Sequence, residues 1–417
     1  MSNILGCVKP NPVSAAEVVI VGAGPAGSAA AAWAARAGRD VMVIDGATFP
    51  RDKACGDGLT PRAVTELELL GLGPWLDEHI LHHGLRMSGF GSAVEVRWPG
   101  PSFPATGSAV PRTELDNRVR LVAEESGASM MMGAKVVDVE HDSAGRVSAV
   151  VLADGSSVSC GQLIVADGAR STLGRMLGRQ WHKETVYGVA GRAYIASPRA
   201  DEPWISSDLE LRSVDGAVLP GYGWIFPLGN GEVNIGVGAL ATDKRPADIA
   251  LKPLIKHYTN LKRLEWGFEG HARAVSSALL PMGGAVSEVA GPNWMLIGDA
   301  AACVNPLNGE GIDYGMETGR LAAEMLGTGD LSQTWPAVLQ QHYARGFSAA
   351  RRLALLLTIP HFLPLTGPLA MRSTALMGVA VRVMGNLVTD EDADWIARVW
   401  RTAGAGSRRL DRRKPFT

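Results

Sequence analysis

The stretch that most restricts the fold of this chain is Glu17-Val18-Val19-Ile20-Val21, a β-branched run that stops at Gly22-Ala23-Gly24-Pro25-Ala26-Gly27 and continues into an alanine-rich segment, Ser28 to Ala37. β-Branched residues suit a strand, clustered glycines a tight turn, and alanines a helix. Gly38 ends the helix and Val41-Met42-Val43-Ile44 makes a second buried strand, so residues 17–45 predict one βαβ unit with parallel strands. The turn fits the pattern GxGxxG, with Pro25 and Ala26 between its last two glycines. Gly22 permits the turn, Gly24 lets a pyrophosphate approach the backbone, and Gly27 lets helix pack on strand. The helix N-terminus then faces the phosphates. Asp45, eighteen residues past Gly27 at the end of the second strand, is placed to accept hydrogen bonds from a ribose diol. A lone glycine turn says little; strand, turn, helix, strand and acid in that order predict a dinucleotide site.

With 417 residues, 46% of them hydrophobic and 20% charged, the chain has material for two or three interleaved domains, which excludes disorder for most of its length. Its 40 basic residues nearly balance 42 acidic ones, and a net charge of −2 gives no overall pull toward nucleic acid. Cys7, Cys55, Cys160 and Cys303 are scattered, with no spacing that suggests a disulfide framework or a metal site. Ile4-Leu5-Gly6-Cys7 has the outline of a lipoprotein cleavage box, but it sits too near Met1 and lacks a basic start and an apolar core.

Further along, Asp208 to Leu240 alternates in strand fashion and is broken by Asp215-Gly216 and Gly229-Asn230-Gly231, both hairpin-turn chemistry. That predicts an antiparallel meander beside the parallel unit. Leu331 to Thr389 contains no acidic residue, only Arg345, Arg351, Arg352, Arg372 and Arg382 among apolar ones, and reads as helical and cationic.

The dinucleotide stays undetermined until Asn293 to Ala301, a strand running into Gly298-Asp299, followed by Pro306-Leu307-Asn308-Gly309-Glu310-Gly311 and a helix from about Ile312. An extended cofactor such as a flavin accounts for this second glycine site, which otherwise reads as another glycine-rich turn. Gly298 permits close approach, Asp299 holds ribityl hydroxyls, and the amides of Gly311 and Ile312 at a helix start face a pyrimidine ring that becomes anionic on reduction. These motifs, with Ala166-Asp167-Gly168-Ala169-Arg170-Ser171, resemble the flavoproteins of the para-hydroxybenzoate hydroxylase type, and within them the geranylgeranyl reductases, over nearly the whole chain. The resemblance implies FAD, contacted by Arg112 within Pro111 to Asp116 and by the backbone of Val136 at the adenine, with Asp167 building the interior. It also implies an α/β fold. A Rossmann-like FAD-binding domain (1–75, 106–180 and 271–330) would interleave with an antiparallel substrate domain (76–105 and 181–270), followed by a helical, basic and apolar region (331–417).

Two segments point to the reductase branch: Arg51 to Leu59, and Pro220 to Pro227, which resembles the Tyr-x-Trp-x-Phe-Pro box of that family. Tyr222, Trp224 and Phe226 alternate along a strand and share one face, which serves equally as an aromatic wall for a long apolar substrate or as plain sheet core. Cys55 has Arg51 and Lys53 close in sequence. It reads either as a proton donor or substrate-positioning group, or as an inert buried thiol.

The segments Pro61 to Val64 and Leu85 to Phe90 and the C-terminal region are most similar to the bacterial branch that saturates one isoprene unit in the tail of menaquinone. That implies hydride transfer from reduced flavin with protonation of the other olefin carbon. Cys55 is the first candidate acid and Tyr222 the second, while Tyr222 and Trp224 face developing positive charge. The alternative on the same fold is an aromatic-ring monooxygenase using NAD(P)H and oxygen. No second GxGxxG follows a strand, so the electron donor is expected to be NAD(P)H bound transiently or a separate redox protein.

Leu353 to Ala370 is interrupted by Pro360, Pro364 and Pro368 and is not expected to cross a bilayer. A peripheral position on the cytoplasmic face of the membrane, with arginines meeting anionic headgroups, and a helical cap in the cytoplasm both fit the region.

Overall fold

The computed structural model describes residues 14–247, 249–359 and 361–417, so the Ile4 to Cys7 segment lies outside the described residues. Strand Ser14–Val21 is the centre of an eight-stranded sheet, paired in parallel with Val41–Asp45 on one side and Ser157–Val165 on the other. Its Val18, Val19 and Ile20 are fully buried, which is why the run has no polar alternation. Trp294–Leu296 and Ser129–Met132 extend the parallel set outward, while Val136–His141 and Val147–Leu152 add an antiparallel flap. The alanine-rich helix Pro25–Arg36 crosses this sheet and packs along Ile312–Met325. Small residues on both allow the approach, as at Gly319, where an added Cβ would sit 2.5 Å from the Ala26 carbonyl oxygen.

The second sheet has seven strands in the order Glu269–Pro281, Tyr187–Ala196, Glu232–Ala241, Gly221–Pro227, Trp204–Asp208, Gly84–Gly89, Ser92–Arg97. All neighbours are antiparallel except Trp204–Asp208 with Gly84–Gly89. The expected hairpin breaks at Asp215-Gly216 and Gly229 to Gly231 fall between strands as predicted. One face is sealed by helix Leu251–Trp266, whose Leu254, Ile255 and Tyr258 pack on Ile225, Val233, Ile235 and Val237. The alternate residues of the same strands, Tyr222, Trp224, Phe226, Asn234, Gly236 and Gly238, turn toward the first sheet.

Two expected boundaries shift. Residues 271–281, placed with the nucleotide domain, are an edge strand of the seven-stranded sheet, paired along Tyr187–Ala196. Most of that strand's outer side chains are exposed, so it carries little of the alternation that marks a half-buried strand. Position 331 is no domain border. Leu331, Trp335, Leu339, Tyr343 and Phe347 of the long helix Leu331–Leu357 sink into the same core as the βαβ unit, and Phe416 joins them. The rest of the tail is helical as expected, in Phe362–Ala370, Thr374–Met384 and Trp395–Arg409.

The turn glycines differ in what holds them bare. Gly22 has φ +108°, and a Cβ on Gly27 would lie 1.8 Å from the Gly22 carbonyl oxygen; on Gly24 the nearest atom would be Arg51 Nη2 at 3.5 Å. Gly27→Ala is therefore expected to destabilise the apoprotein by about 3 kcal/mol or more, and Gly24→Ala by no more than about 0.5 kcal/mol. Equal melting temperatures for the two variants in thermal denaturation would contradict this.

Candidate active site

One continuous cavity of about 400 Å³ runs between the sheets, from the glycine turn to the C-terminal helices. Of the residues singled out from sequence, Gly24, Pro25, Ala26, Cys55 and Arg112 line it from the first domain. Tyr222 and Trp224 line it from the second sheet, and Asp299, Gly311 and Ile312 from the second glycine site. Gly22 and Gly27 do not: their job is packing within the turn. Asp45 also stands outside, its Oδ2 accepting from the Ala23 amide (2.7 Å) and Oδ1 from the Ala47 amide (2.8 Å), so it braces the glycine loop. Val136 is half-buried at the start of the antiparallel flap, away from the cavity lining. Asp167 accepts from the Leu173 amide at 2.9 Å, the architectural part expected of it.

The fit to FAD is tested by Gly24, the one turn glycine whose bareness the protein's own packing does not require, and it opens on the cavity at the start of a 12-residue helix. Unpaired amides and the positive dipole end suit a pyrophosphate there. The second glycine site adds the start of helix Ile312–Met325 on the same cavity. These two helix ends, with Lys53 held 3.4 Å from Asp299, would hold the cofactor.

The loop carrying Cys55 is pinned from several sides. Arg51 bonds Asp116 (2.9 Å), Arg192 bonds Asp52 and the Lys53 carbonyl (3.0 Å), and Asn234 donates to the Cys55 carbonyl (2.9 Å). The expected cations are therefore not the ones at the sulfur. Arg51 and Lys53 are turned away to carboxylates, and the guanidinium of Arg112, buried and bidentate to Asp116 (2.6 and 2.8 Å), lies beside the Cys55 thiol. Sequence neighbours in an extended loop point in different directions, so proximity in sequence misassigned the charge. Burial pushes the Cys303 thiol up and the Cys160 thiol up to about 12, in line with packing roles.

Tyr222, Trp224 and Phe226 form a continuous wall, with ring centroids 5.8 and 6.0 Å apart. Trp224 lies over Gly236, where a Cβ would come within 2.1 Å of its ring, and donates Nε1–H to Asn234 Oδ1 (2.9 Å). The Tyr222 hydroxyl donates to the Asn308 carbonyl (2.7 Å), and burial together with the charge of Glu310 raises its pKa. Releasing that proton is costly, so its ring suits the wall better than its hydroxyl suits an acid. Beyond the wall the lining is Leu85, Met87 and Ile205 from the sheet, Trp98 just past the strand Ser92–Arg97, and Leu363, Met377 and Val381 from the C-terminal helices.

Two carboxyl groups were missed from sequence. Glu310 sits in the Pro306 to Gly311 loop and lines the cavity. Asp57, fully buried at φ +64°, accepts through Oδ2 from Tyr194 (2.6 Å) and Asn234 (2.8 Å), while its Oδ1 has no partner among the described residues. An acid set between two glycines, Gly56 and Gly58, was the available signal.

Burial pushes Asp57 up to about 6, against the opposing hydrogen bonds. A carboxyl raised on folding contributes stability that is complete below its unfolded pKa and lost as pH rises through the folded value, a loss of about 3 kcal/mol for such a shift. Asp57→Asn keeps an acceptor for Tyr194 and Asn234 without the ionisation. Its melting temperature relative to wild type is expected to rise between pH 4 and pH 8 (roughly the window of that titration), and thermal melts showing a flat or falling difference would refute the assignment.

Residues 15–224 match the FAD-binding domain family. Menaquinone reductase of Mycolicibacterium smegmatis is 76% identical over 405 residues, covering 96% of this chain and 99% of that one. Menaquinone reductase of Mycobacterium tuberculosis is 73% identical over 402 residues, covering 96% and 98%. Digeranylgeranylglycerophospholipid reductase 1 of Methanopyrus kandleri is 30% identical over 322 residues, covering 74% and 80%. Among solved structures, a geranylgeranyl bacteriochlorophyll reductase-like protein from Thermoplasma acidophilum shares the fold with a TM-score of 0.74 at 20% identity, covering 94% of this chain and 99% of that one. With a cavity built around a glycine-turn cradle and near full-length identity to these enzymes, the chain belongs to the FAD-dependent oxidoreductases of the menaquinone reductase family.

Proposed function

We propose that this enzyme saturates a carbon–carbon double bond in an isoprenoid chain, one isoprene unit of the menaquinone side chain. The observation that carries the reading is the continuity of the cavity, in which the nucleotide cradle opens directly onto an aromatic wall and an aliphatic chamber. The names of the relatives support the same substrate class. FAD supplies hydride-transfer chemistry when bound.

The protein's part begins with position. Helix ends at Pro25 and Ile312 hold the cofactor, and the strand Gly221–Pro227 holds the substrate chain against its rings. An isolated trisubstituted alkene has no carbonyl to absorb charge, so positive charge develops at its tertiary carbon. The faces of Tyr222 and Trp224 stabilise such a cation, and the apolar lining excludes water that would trap it. Cys55 and its loop border the same space, where the thiol is placed to position the olefin. The electron donor is NAD(P)H or a separate redox protein.

The test is the quinone itself. Expression in a host whose menaquinone tail is fully unsaturated should raise the tail mass by the two hydrogens of one saturated unit, read by mass spectrometry of extracted lipid. An unchanged profile refutes the reading. Oxygen consumption coupled to hydroxylation of a phenol would instead favour the monooxygenase.

The same proposal places the enzyme peripherally on the cytoplasmic face of the membrane. No single helix among the described residues is long and apolar enough to cross a membrane, and the long helix and Phe362–Ala370 meet at 107°. Leu365 and Leu369, 76% and 67% exposed, project from a helix whose Leu363 lines the cavity. Of the five arginines, Arg382 is paired with Asp392 and Asp394 and Arg352 with Asp411, while Arg351 is buried. Arg345 and Arg372 stay exposed for headgroups. Leu365→Glu combined with Leu369→Glu should weaken co-sedimentation with anionic phospholipid vesicles by about tenfold or more, and unchanged binding would remove this face from the membrane contact.

A further inference from the structure

A cluster of carboxyl groups shares too little positive charge on one side of the cavity. Arg62, on helix Pro61–Leu69, bonds Asp313 Oδ2 (3.2 Å) and Glu317 Oε2 (2.6 Å) while stacking on Tyr314 and Phe103. Asp313 is 1% exposed, and its Oδ1 has no partner among the described residues. Glu310, three residues earlier, points into the cavity, and no salt bridge reaches it among the described residues. Its contacts are the Thr60 hydroxyl at Oε1 and a long approach of Asn308 Nδ2 to Oε2 (3.5 Å). Tyr222 and Tyr314 are the other titratable groups that sense it. Three carboxyl groups around one guanidinium cannot all be ionised at low cost in an apolar site, and the one without an ion pair is the one that keeps its proton. The electrostatics agree in direction. Burial, then the charge of Asp313, raises Glu310 well above the carboxylate range, while the rise that burial gives Asp313 is opposed by its ion pair with Arg62.

We propose that Glu310 is a neutral carboxylic acid at neutral pH and is the catalytic proton donor of the reduction. This rests on the reductase reading and names the acid that it needs. The Oε2–H bond breaks and a C–H bond forms at one olefin carbon. The π electrons of the alkene form that bond and Glu310 is left as a carboxylate. Bound reduced FAD would supply hydride to the other carbon, so that the alkene is reduced, the flavin is oxidised by two electrons, and the electron donor, NAD(P)H or a separate redox protein, restores it. Solvent reprotonates it through the cavity after the product leaves. Asp313 is a positioning residue whose negative charge holds the proton on Glu310, and Arg62 keeps Asp313 and Glu317 in place.

The first test needs no turnover. The infrared difference between FAD-loaded wild type and Glu310→Gln at neutral pH should contain the carbonyl band of a protonated buried acid, lost in the variant; an ionised carboxylate in its place overturns the proposal whatever the substrate is. The second uses tail saturation. Glu310→Gln should bind FAD normally, keep its KM and lose turnover on the order of a hundredfold. Asp313→Asn should move the alkaline limb of the wild-type pH–rate profile to lower pH, since it removes the charge that opposes ionisation of Glu310. Full turnover with an unmoved limb in Glu310→Gln refutes the role. A neutral Glu310 in an enzyme that leaves the quinone tail unchanged instead overturns the reductase reading, and with it the destination of the proton.

Discussion

The geometry of the cavity depends on one side chain, the Asn234 carboxamide. It stands on the antiparallel sheet, yet its Nδ2 donates to the Cys55 carbonyl and to the Asp57 carboxylate, both on the loop that follows the βαβ unit, while its Oδ1 accepts from Trp224. All three partners border the cavity, and Asn234 itself is fully buried. In a low-dielectric interior these bonds are strong when made and costly when lost, so the amide fixes the distance between the loop and the aromatic wall. Two domains with separate cores thereby share one rigid floor. Arg192, through Asp52 and the Lys53 carbonyl, and the Lys53–Asp299 pair brace the same loop at residues 52 and 53, but only the amide also orients the tryptophan.

Much of the nucleotide half was legible in the sequence because its constraints are local. A buried strand, a turn that admits no Cβ at Gly27, and an alanine-rich helix each leave their mark within a few residues of one another. The alternation of Tyr222, Trp224 and Phe226 was equally readable, and the opposite parity of the same strands, Gly223 and Ile225, packs on helix Leu251–Trp266. What could not be read is what depends on meeting across the chain. Arg112 reaches Cys55 over 57 positions, and Arg62 meets Asp313 over 251. Glu310 looked like one more polar residue in a glycine loop, since nothing in that loop announces that its nearest cation is committed elsewhere. The edge strand Glu269–Pro281 was missed for the opposite reason: its exposed Val275 and Leu279 are as apolar as the inward Ala278 and Leu280, so the burial alternation leaves no mark in the sequence.

The acid-free stretch from Leu331 to Thr389 shows how composition and electrostatics separate once a chain folds. Read linearly it is a block of positive charge. In three dimensions the acids just beyond it, Asp392, Asp394 and Asp411, fold back on Arg382 and Arg352, so the cationic character left at the surface is smaller than the sequence suggests. The same region supplies both the far wall of the chamber and, at Leu365 and Leu369, an exposed greasy ridge beside it. A hydrophobic guest arriving along that ridge stays in contact with apolar surface on its way inward.

The stacking of Trp224 on Gly236 has a consequence for how such a chamber diversifies. The indole can lie flat on the sheet only because the neighbouring strand offers no side chain there, so the bore of the passage is a property of two positions rather than one. Residues 224 and 236 are bound to change as a couple. A bulkier partner on the glycine's strand with a slimmer ring opposite would preserve the sheet and alter which chain thickness slides past, and descendants with new lipid preferences would carry that exchange as their signature.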